Sequence, residues 1–515
     1  MAEQKPKSKP KNAIDKLTSK APMAIARDIL KKIVPDKDRF GKSVQYVYYY
    51  HGNFWQWWGD RWLYCDEREM EDRVRRLLEH AKYCSARTDD GTKIYTDYEP
   101  TISKCREVVA ALRSVVMLPE LYAPAWLMEQ SEDGKRKAPL TSEKRSIAFK
   151  DVVLDIDAMS QGESNYMVQR DRRWFDLGFV PARYNPGAEC PLWKQCIETW
   201  GLKDPLWETL LKRWFGYCLM AERSFAKMLL MIGPTRSGKG TVVGVLRQLV
   251  GPQTFKGLSV RDLVHPHGLE GLEVARVIDV PEMSELSRRE ADTATRVLKN
   301  ILGEDPISIN PKGKRVMHNM VIGAAPLMQT NEIPAITDKA GGMSSKLVVL
   351  KMMQKLVGRE DFDLQTKLRS EIPGIAAWAV DGAVELLRAY HAGEEMFPMT
   401  EAAKAEFSDY QTTVNPVDAF LNDCFVPSGK GSVTVKYLVR TFFGWKQRTG
   451  SKIYLGHRNW VAKRIIEGSS WKLTPWRNER ARYVFGLAPR KNMLTESGPD
   501  PAEAPETPVA DDDAA

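Results

Sequence analysis

The sequence predicts an α/β protein built on a parallel β-sheet, with a small α+β unit before it and a compact helix-and-strand unit after it. Three observations predict this. KMLLMI (227–232), VARVIDV (274–280) and NMVIGAAPLM (319–328) are short apolar runs of the kind that fills a sheet buried on both faces. Helical patterns lie between or after them, so strand and helix alternate. The first run opens directly onto GPTRSGKGT, which is followed by the helical stretch TVVGVLRQLVG.

The 515 residues leave room for three or four domains, and an apolar fraction of 43% supplies real cores. The sequence contains no apolar run near the ~18 residues of a membrane span, so no membrane partner is expected. Seven dispersed cysteines predict free thiols in a reducing cytoplasm. Cys190 and Cys196 are the closest pair, but no second pair or His cluster joins them, which disfavours zinc. The net charge is +9, while residues 496–515 carry seven acids and no Lys or Arg. Residues 1–495 therefore carry +16, a balance that suits a polyanionic partner.

Along the chain, residues 1–20 hold six lysines and predict a disordered basic arm. Residues 21–150 predict the α+β unit. A helix starts near Ala21, and YVYYYHGNFWQWWGDRWLYCD (46–66) reads as two or three short aromatic strands broken at His51-Gly52-Asn53 and Gly59-Asp60. Period-2 aromatics predict half a sheet's core, with base stacking as the alternative. EREMEDRVRRLLEHAKY follows as a helix, and 131–146 as an exposed loop. Residues 151–226 predict a helical collar. Within it, VVLDIDAM (152–159) carries Asp155 and Asp157, which resemble the paired metal acids of primases and polymerases. No matching third acid or His motif follows, so they read as two exposed acids at a strand end. Residues 227–392 predict the parallel-sheet core, 393–415 a linker, 416–491 a separate unit, and 492–515 a disordered acidic tail.

The candidate chemistry starts at the glycine loop. Gly233, Pro234, Thr235, Arg236, Ser237, Gly238, Lys239, Gly240 and Thr241 form a phosphate-binding loop between strand and helix. Gly233 and Gly238 let backbone N–H groups turn inward around phosphate oxygens. The helix N-terminus adds partial positive charge, and Lys239 a point charge on the terminal phosphates. The usual pattern has Ser or Thr directly after the lysine to hold magnesium. Here Gly240 stands there and Thr241 comes one residue late, near enough to bind Mg2+ directly or through water. VARVIDVPEM supplies Asp279 at a strand end and Glu282 three residues on, with Glu285 in reserve. One acid holds the metal and the other orients the attacking water. Asn331 ends the third apolar run, where it touches the terminal phosphate or that water. Lys346, fifteen residues on, is placed to reach a neighbouring subunit's nucleotide. DPISIN and KRVMH read as hairpin arms around Pro311-Lys312-Gly313, with Lys312, Lys314 and Arg315 crowding the tip for DNA phosphates.

The order GPTRSGKGT, VIDVPEM, LKNILGEDPISINPKGK, QTNEIP resembles the superfamily 3 helicases, and more closely the phage and plasmid primase–helicase family that includes poxvirus primase-helicases. The likeness covers about residues 150–392, including YNPGAECPLW and EIPGIAAWAVDGAVELL, and is weaker over 44–150. It implies an AAA+-like P-loop ATPase core and a homo-hexameric ring that moves along single-stranded DNA. It implies ATP and Mg2+ as cofactors, Lys239 and Thr241 on phosphates and metal, Asp279 and Glu282 as the second acidic motif, and Asn331 as polar sensor. It places the 303–316 hairpin in the central channel and adds a replication primase or polymerase as a further partner. The sequence departs from the family twice. Lysine stands at 346 where arginine is common, and the acids are not an adjacent pair.

Residues 436–491 hold fourteen Lys/Arg against Glu467 and Glu479, with Trp445, Trp460, Trp471 and Trp476 interleaved, most of them as core. Helix, helix, strand, strand there predicts a winged-helix DNA-binding domain, adding origin duplex as a partner. The reading is therefore an ATP-dependent DNA helicase of phage or mobile-element replication. The alternative is an initiator whose ATPase assembles a ring without processive unwinding. A nucleotide kinase, which GKGT also suggests, would place the loop near the chain start and follow it with lid arginines.

Overall fold

The computed structural model describes residues 14–33, 47–59, 61–118, 123–127, 143–280, 282, 287–313, 316–331, 343–358, 361–414, 416–450, 453, 455–457, 460–469, 471–477 and 481–490. The chain opens with β1 (Lys16–Leu17) and α1 (Pro22–Ile33), then β2 (Val47–Tyr50), β3 (Asn53–Trp57) and β4 (Trp62–Cys65), an antiparallel meander. His51 and Gly52 both take positive φ in the first turn, as a two-residue hairpin loop needs. Next come α2 (Glu67–Leu78), β5 (Lys82–Arg87), β6 (Lys93–Asp97) and α3 (Ile102–Val115). Asp66 caps α2 by accepting from Glu69 N–H at 2.7 Å, and Met70, Val74 and Leu78 bury one helical stripe. The meander is covered on both faces. Val47, Phe54 and Cys65 join the core formed with α1, α2 and α3, while Trp55 and Trp62 pack around Phe175. Its aromatics are thus mainly core, although Trp58 stays 59% exposed.

The basic arm is shorter than the sequence predicts. β1 pairs with β5, and Ile14 and Leu17 are buried against the helices. Two apolar residues three apart suffice to dock a segment whose lysines dominate its composition. Residues 1–13 lie outside the described residues, as does most of the predicted 131–146 loop.

The 150/151 boundary also falls inside a sheet. After β7 (Ala125–Trp126) come β8 (Ser146–Ala148), β9 (Val152–Asp155), α4 (Ile156–Gln161), β10 (Met167–Gln169) and β11 (Trp174–Phe175). β8, β9 and β10 form one antiparallel sheet, and β11 pairs with β7. Only then do helices α5 (Pro191–Trp200) and α6 (Pro205–Leu219) begin, so the collar opens with short strands before its two long helices. The two acids of VVLDIDAM are not exposed. Asp155 is buried and caps α4 through Ala158 N–H, and Asp157 pairs with Arg145 at 3.1 Å.

The central part runs β12 (Met228–Ile232), α7 (Lys239–Val250), β13 (Phe255–Gly257), β14 (Val277–Val280), α8 (Arg288–Leu302), β15 (Ile307–Ile309), β16 (Met317–Met320), β17 (Ala325–Thr330), β18 (Leu347–Lys351), α9 (Leu364–Ser370) and α10 (Ile372–Ala392). Five strands make a parallel sheet in the order β13-β14-β17-β12-β18. Alternate residues of β12 enter two separate cores. Leu229 and Met231 face α6 and α10, and Met228, Leu230 and Ile232 face α8. The run NMVIGAAPLM splits. Its first residues end β16, which pairs antiparallel with β15, and its last enter the parallel sheet as β17. β15 and β16 thus form the predicted hairpin. α6 and α10 touch backbone to backbone at Gly216 and Gly382, where a Cβ would strike Ala383 and the Lys212 carbonyl.

The predicted linker is largely helical. α11 (Glu401–Val414) packs on β18, with Ala403 in the sheet core and Lys351 paired to Glu406 at 2.8 Å. Then come α12 (Pro416–Cys424), β19 (Phe425–Thr434), α13 (Val435–Thr449), α14 (Val461–Gly468), β20 (Thr474–Arg477) and β21 (Arg482–Pro489). The antiparallel sheet β19-β21-β20 and three helices enclose a core of their own around Phe420, Phe442 and Trp445. Of the four tryptophans only Trp445 is fully buried, and Trp460 is 54% exposed. No described helix is long and apolar enough to cross a membrane.

Candidate functional site

The parallel strands deliver their C-terminal ends to one edge of the sheet, and the candidate site is built there. β12 ends at Ile232, whose carbonyl accepts from Met352 N–H at 2.7 Å. Gly233 donates its N–H to the Thr330 carbonyl at 3.3 Å, and a Cβ at 233 would meet Met352 at 2.6 Å. The loop crosses exposed Pro234, Thr235 and Arg236, the last at φ +63°, and Leu356 N–H pins the Arg236 carbonyl at 2.9 Å. Gly238 is glycine for two reasons. Its φ is +100°, and a Cβ would lie 2.6 Å from Trp200 Nε1. α7 starts at the next residue with no side-chain cap, so its first N–H groups and its dipole point into the loop.

Lys239 Nζ donates to the Gly233 carbonyl at 2.6 Å, the Pro234 carbonyl at 3.0 Å and Asn331 Oδ1 at 3.0 Å. Burial lowers its pKa from the ordinary value, opposed by the negative charge of Glu282. Ser237 is 2% exposed, and its hydroxyl has no hydrogen-bond partner among the described residues. An orphaned donor, a half-buried ammonium and a helix N-terminus around one loop fit a phosphate group. Gly240 is exposed. Thr241 sits in the first turn of α7, its N–H on the Gly238 carbonyl and its own carbonyl held by Gln365 Nε2 at 3.2 Å.

The acids come from the next strands. Asp279 lies on β14, and burial raises its carboxyl above the ordinary value against a hydrogen bond from Gln329. That amide donates to both carboxylate oxygens, at 3.0 and 3.3 Å. Glu282 lies just past the strand, and its Oε1 accepts from Thr330 Oγ1 at 3.1 Å. β17 separates β14 from β12 and carries Gln329, Thr330 and then Asn331 to the same edge. The structure therefore gathers Lys239, Asn331, Glu282 and Asp279 at one sheet edge.

Two predicted groups lie elsewhere. Lys346 precedes β18, which runs parallel to β12, so it sits at the opposite edge, roughly 16 Å from the loop at about 3.3 Å per residue. It does not meet this chain's own Lys239 or acids. Lys312 is exposed at the β15–β16 tip, where its N–H donates to Glu270 Oε2 at 3.2 Å and the Asn310 carbonyl contacts His267 Nδ1 at 2.7 Å. The tip and the β2–β3 turn line a cavity of about 680 Å³ with Tyr49, Glu67, Arg113 and Glu273. The hairpin thus faces the N-terminal unit. Lys314, Arg315 and Glu285 lie outside the described residues.

Sequence reasoning missed Gln329, Thr330 and Trp200. The first two carried a signal, since three consecutive polar residues end an apolar strand. Trp200 carried none, because its contact with Gly238 spans 38 positions in the chain.

Residues 231–342 match a family of unknown function, DUF5906. That span holds the glycine loop, both acids, the hairpin and Asn331. No curated protein matches the chain. Solved structures of the NrS-1 C-terminal region are similar to it. One, an apo A form, is 14% identical with a TM-score of 0.47, covering 90% of this chain and 98% of that one. A second, an apo structure of that region's residues 305–718, is 13% identical with a TM-score of 0.48, covering 91% and 100%. At such scores the likeness carries no weight for function.

Proposed function

We propose that the chain is an ATP-dependent DNA helicase of phage or mobile-element replication, hydrolysing ATP in a hexameric ring that moves along single-stranded DNA. The observation that carries this reading is the meeting of Lys239 with Asn331, beside Glu282 and Asp279, where β12 and β17 end. In this reading 227–392 is an AAA+-like P-loop core, and 416–491 a winged-helix domain. When bound, ATP with Mg2+ supplies a γ-phosphoryl group open to attack by water. Lys239 exchanges its loop carbonyls for phosphate oxygens, and the loop N–H groups and the Ser237 hydroxyl take up others. Thr241 and Asp279 hold the metal. Glu282 orients the attacking water, and Asn331 senses the terminal phosphate. Lys346, at the far edge of the sheet, serves a neighbouring subunit. Lys312, Lys314 and Arg315 track the DNA backbone from the hairpin tip.

A second reading has one observation in its favour. The C-terminal unit has its own core and a dense basic surface, as suits a DNA-binding initiator whose ATPase assembles a ring without processive unwinding. Strand displacement on forked duplexes with 5′ and 3′ tails separates the two. The helicase reading expects ATP-dependent unwinding and DNA-stimulated hydrolysis, both abolished by Lys239→Ala. Hydrolysis without unwinding on either fork leaves the initiator. ATP hydrolysis undiminished in Lys239→Ala defeats both.

A further inference from the structure

We infer that Gln329 and Thr330 are positioning residues, one for each carboxylate of the site, so that a single strand end sets both acids and contacts the lysine. The inference rests on the ATPase reading and adds two residues to it.

The register explains why these residues reach these acids. β14 and β17 are paired with Asp279 opposite Leu327 and Val280 opposite Met328. Gln329 is two residues past Leu327, so it shares a face with Asp279 and stands on the diagonal. A long side chain reaches along that diagonal where a short one does not. Gln329 spans it and donates to both oxygens of Asp279, at 3.0 and 3.3 Å. Thr330 is two residues past Met328, as Glu282 is two past Val280, and it faces the other way. It is 2% exposed, and its hydroxyl gives 3.1 Å to Glu282 Oε1. Asn331 follows and accepts from Lys239 at 3.0 Å.

Each contact has a physical consequence. A half-buried carboxylate without a donor turns among rotamers and carries a desolvation cost. One whose two oxygens share one amide is held in a single plane, as a metal ligand needs. Glu282 lies beyond the strand ladder, so a hydroxyl from the neighbouring strand end is what fixes its direction. β17 also holds the loop, since the Thr330 carbonyl accepts from Gly233 N–H. A shift of this strand end therefore moves both acids and the loop together.

The experiment measures steady-state ATP hydrolysis, equilibrium nucleotide binding and Tm for the full chain carrying Gln329→Met, Thr330→Val or Thr330→Ser. Each is also combined with the change at the acid it serves, Asp279→Asn or Glu282→Gln. Gln329→Met and Thr330→Val are expected to lower kcat about tenfold or more, with nucleotide affinity within about threefold, because Lys239 and the loop are intact. Thr330→Ser restores kcat. In the Asp279→Asn background Gln329→Met has no further effect, and in the Glu282→Gln background Thr330→Val has none. Unchanged kcat in the single variants overturns the inference. So does a loss that persists undiminished in the acid-deficient backgrounds, or one that tracks a fall in Tm and is not restored by serine. If the unaltered chain neither binds nor hydrolyses ATP, the ATPase reading itself fails and this inference falls with it.

Discussion

His51 shows how far one side chain's setting can depart from what its sequence position suggests. It occupies the β2–β3 turn at φ +49°, and burial pushes its pKa down to about 4 against a hydrogen bond with the Glu273 backbone. Its Nδ1 is buried without a partner among the described residues. Between an ordinary value near 6.5 and about 4, the unfolded chain takes up a proton that the folded chain refuses. Stability therefore falls as pH falls through that window, and levels off below it. At about 1.4 kcal/mol for each pH unit the loss reaches ~3 kcal/mol. Asn tolerates the left-handed backbone and does not titrate. His51→Asn is thus expected to lose less Tm than the unaltered chain between pH 6.5 and 4, all other titratable groups being common to both. Parallel Tm profiles over that range would refute it. The sequence marked His51 only as a turn residue; its ring stacks on the neighbouring Tyr50, but its hydrogen bond is with the Glu273 backbone, remote in the chain. Lys239 is the opposite case. Two of its three hydrogen-bond partners, the Gly233 and Pro234 carbonyls, are near in sequence, whereas Gln329 and Thr330 meet their carboxylates only once β14 lies alongside.

At the scale of elements, legibility followed periodicity. The helices α2, α5 and α6 and the strands β12 and β14 were readable because each carries a full apolar stripe or run. The misreadings fell where a pattern was short or shared. NMVIGAAPLM looked like one strand because apolar content does not reveal a change of sheet at 321–324. Residues 393–415 looked like a linker because α11 buries a narrow stripe, including Ala403, under a polar surface. The contact of α6 with α10 was also hidden, although its cause is in the sequence as two glycines. In an isolated helix Gly216→Ala would gain about 1 kcal/mol of propensity. Here the added methyl meets the backbone of Ala383, which cannot move aside as a flexible side chain would. Overpacking of roughly 1–3 kcal/mol or more outweighs the propensity gain. Gly216→Ala is expected to lower Tm by several degrees, and a Tm equal to or above that of the unaltered chain would show that the two helices can separate at little cost.

The whole molecule divides its charge as it divides its cores. The body is basic, the last twenty residues are acidic, and the 436–491 stretch concentrates fourteen cations on a unit with its own core. Within that unit β20 and β21 place Arg477 directly opposite Arg482. Like charges in register across an antiparallel pair destabilise it, so this arrangement favours an anion that bridges them. Lys463, Lys472 and Arg477 are all exposed. In the proposed reading they meet phosphates, and each phosphate neutralised adds about 0.9 to the slope of log K against log salt on duplex DNA. Replacing Lys463, Lys472 and Arg477 with glutamine is therefore expected to flatten that slope by roughly 2 to 3, and to weaken duplex binding alike across sequences. ATP hydrolysis without DNA should stay at its original rate, because all three belong to the C-terminal unit and none to the β12–α7 loop. A slope unchanged by the triple substitution would move the DNA contacts off this unit, leaving the β15–β16 tip and the N-terminal unit it faces to carry them.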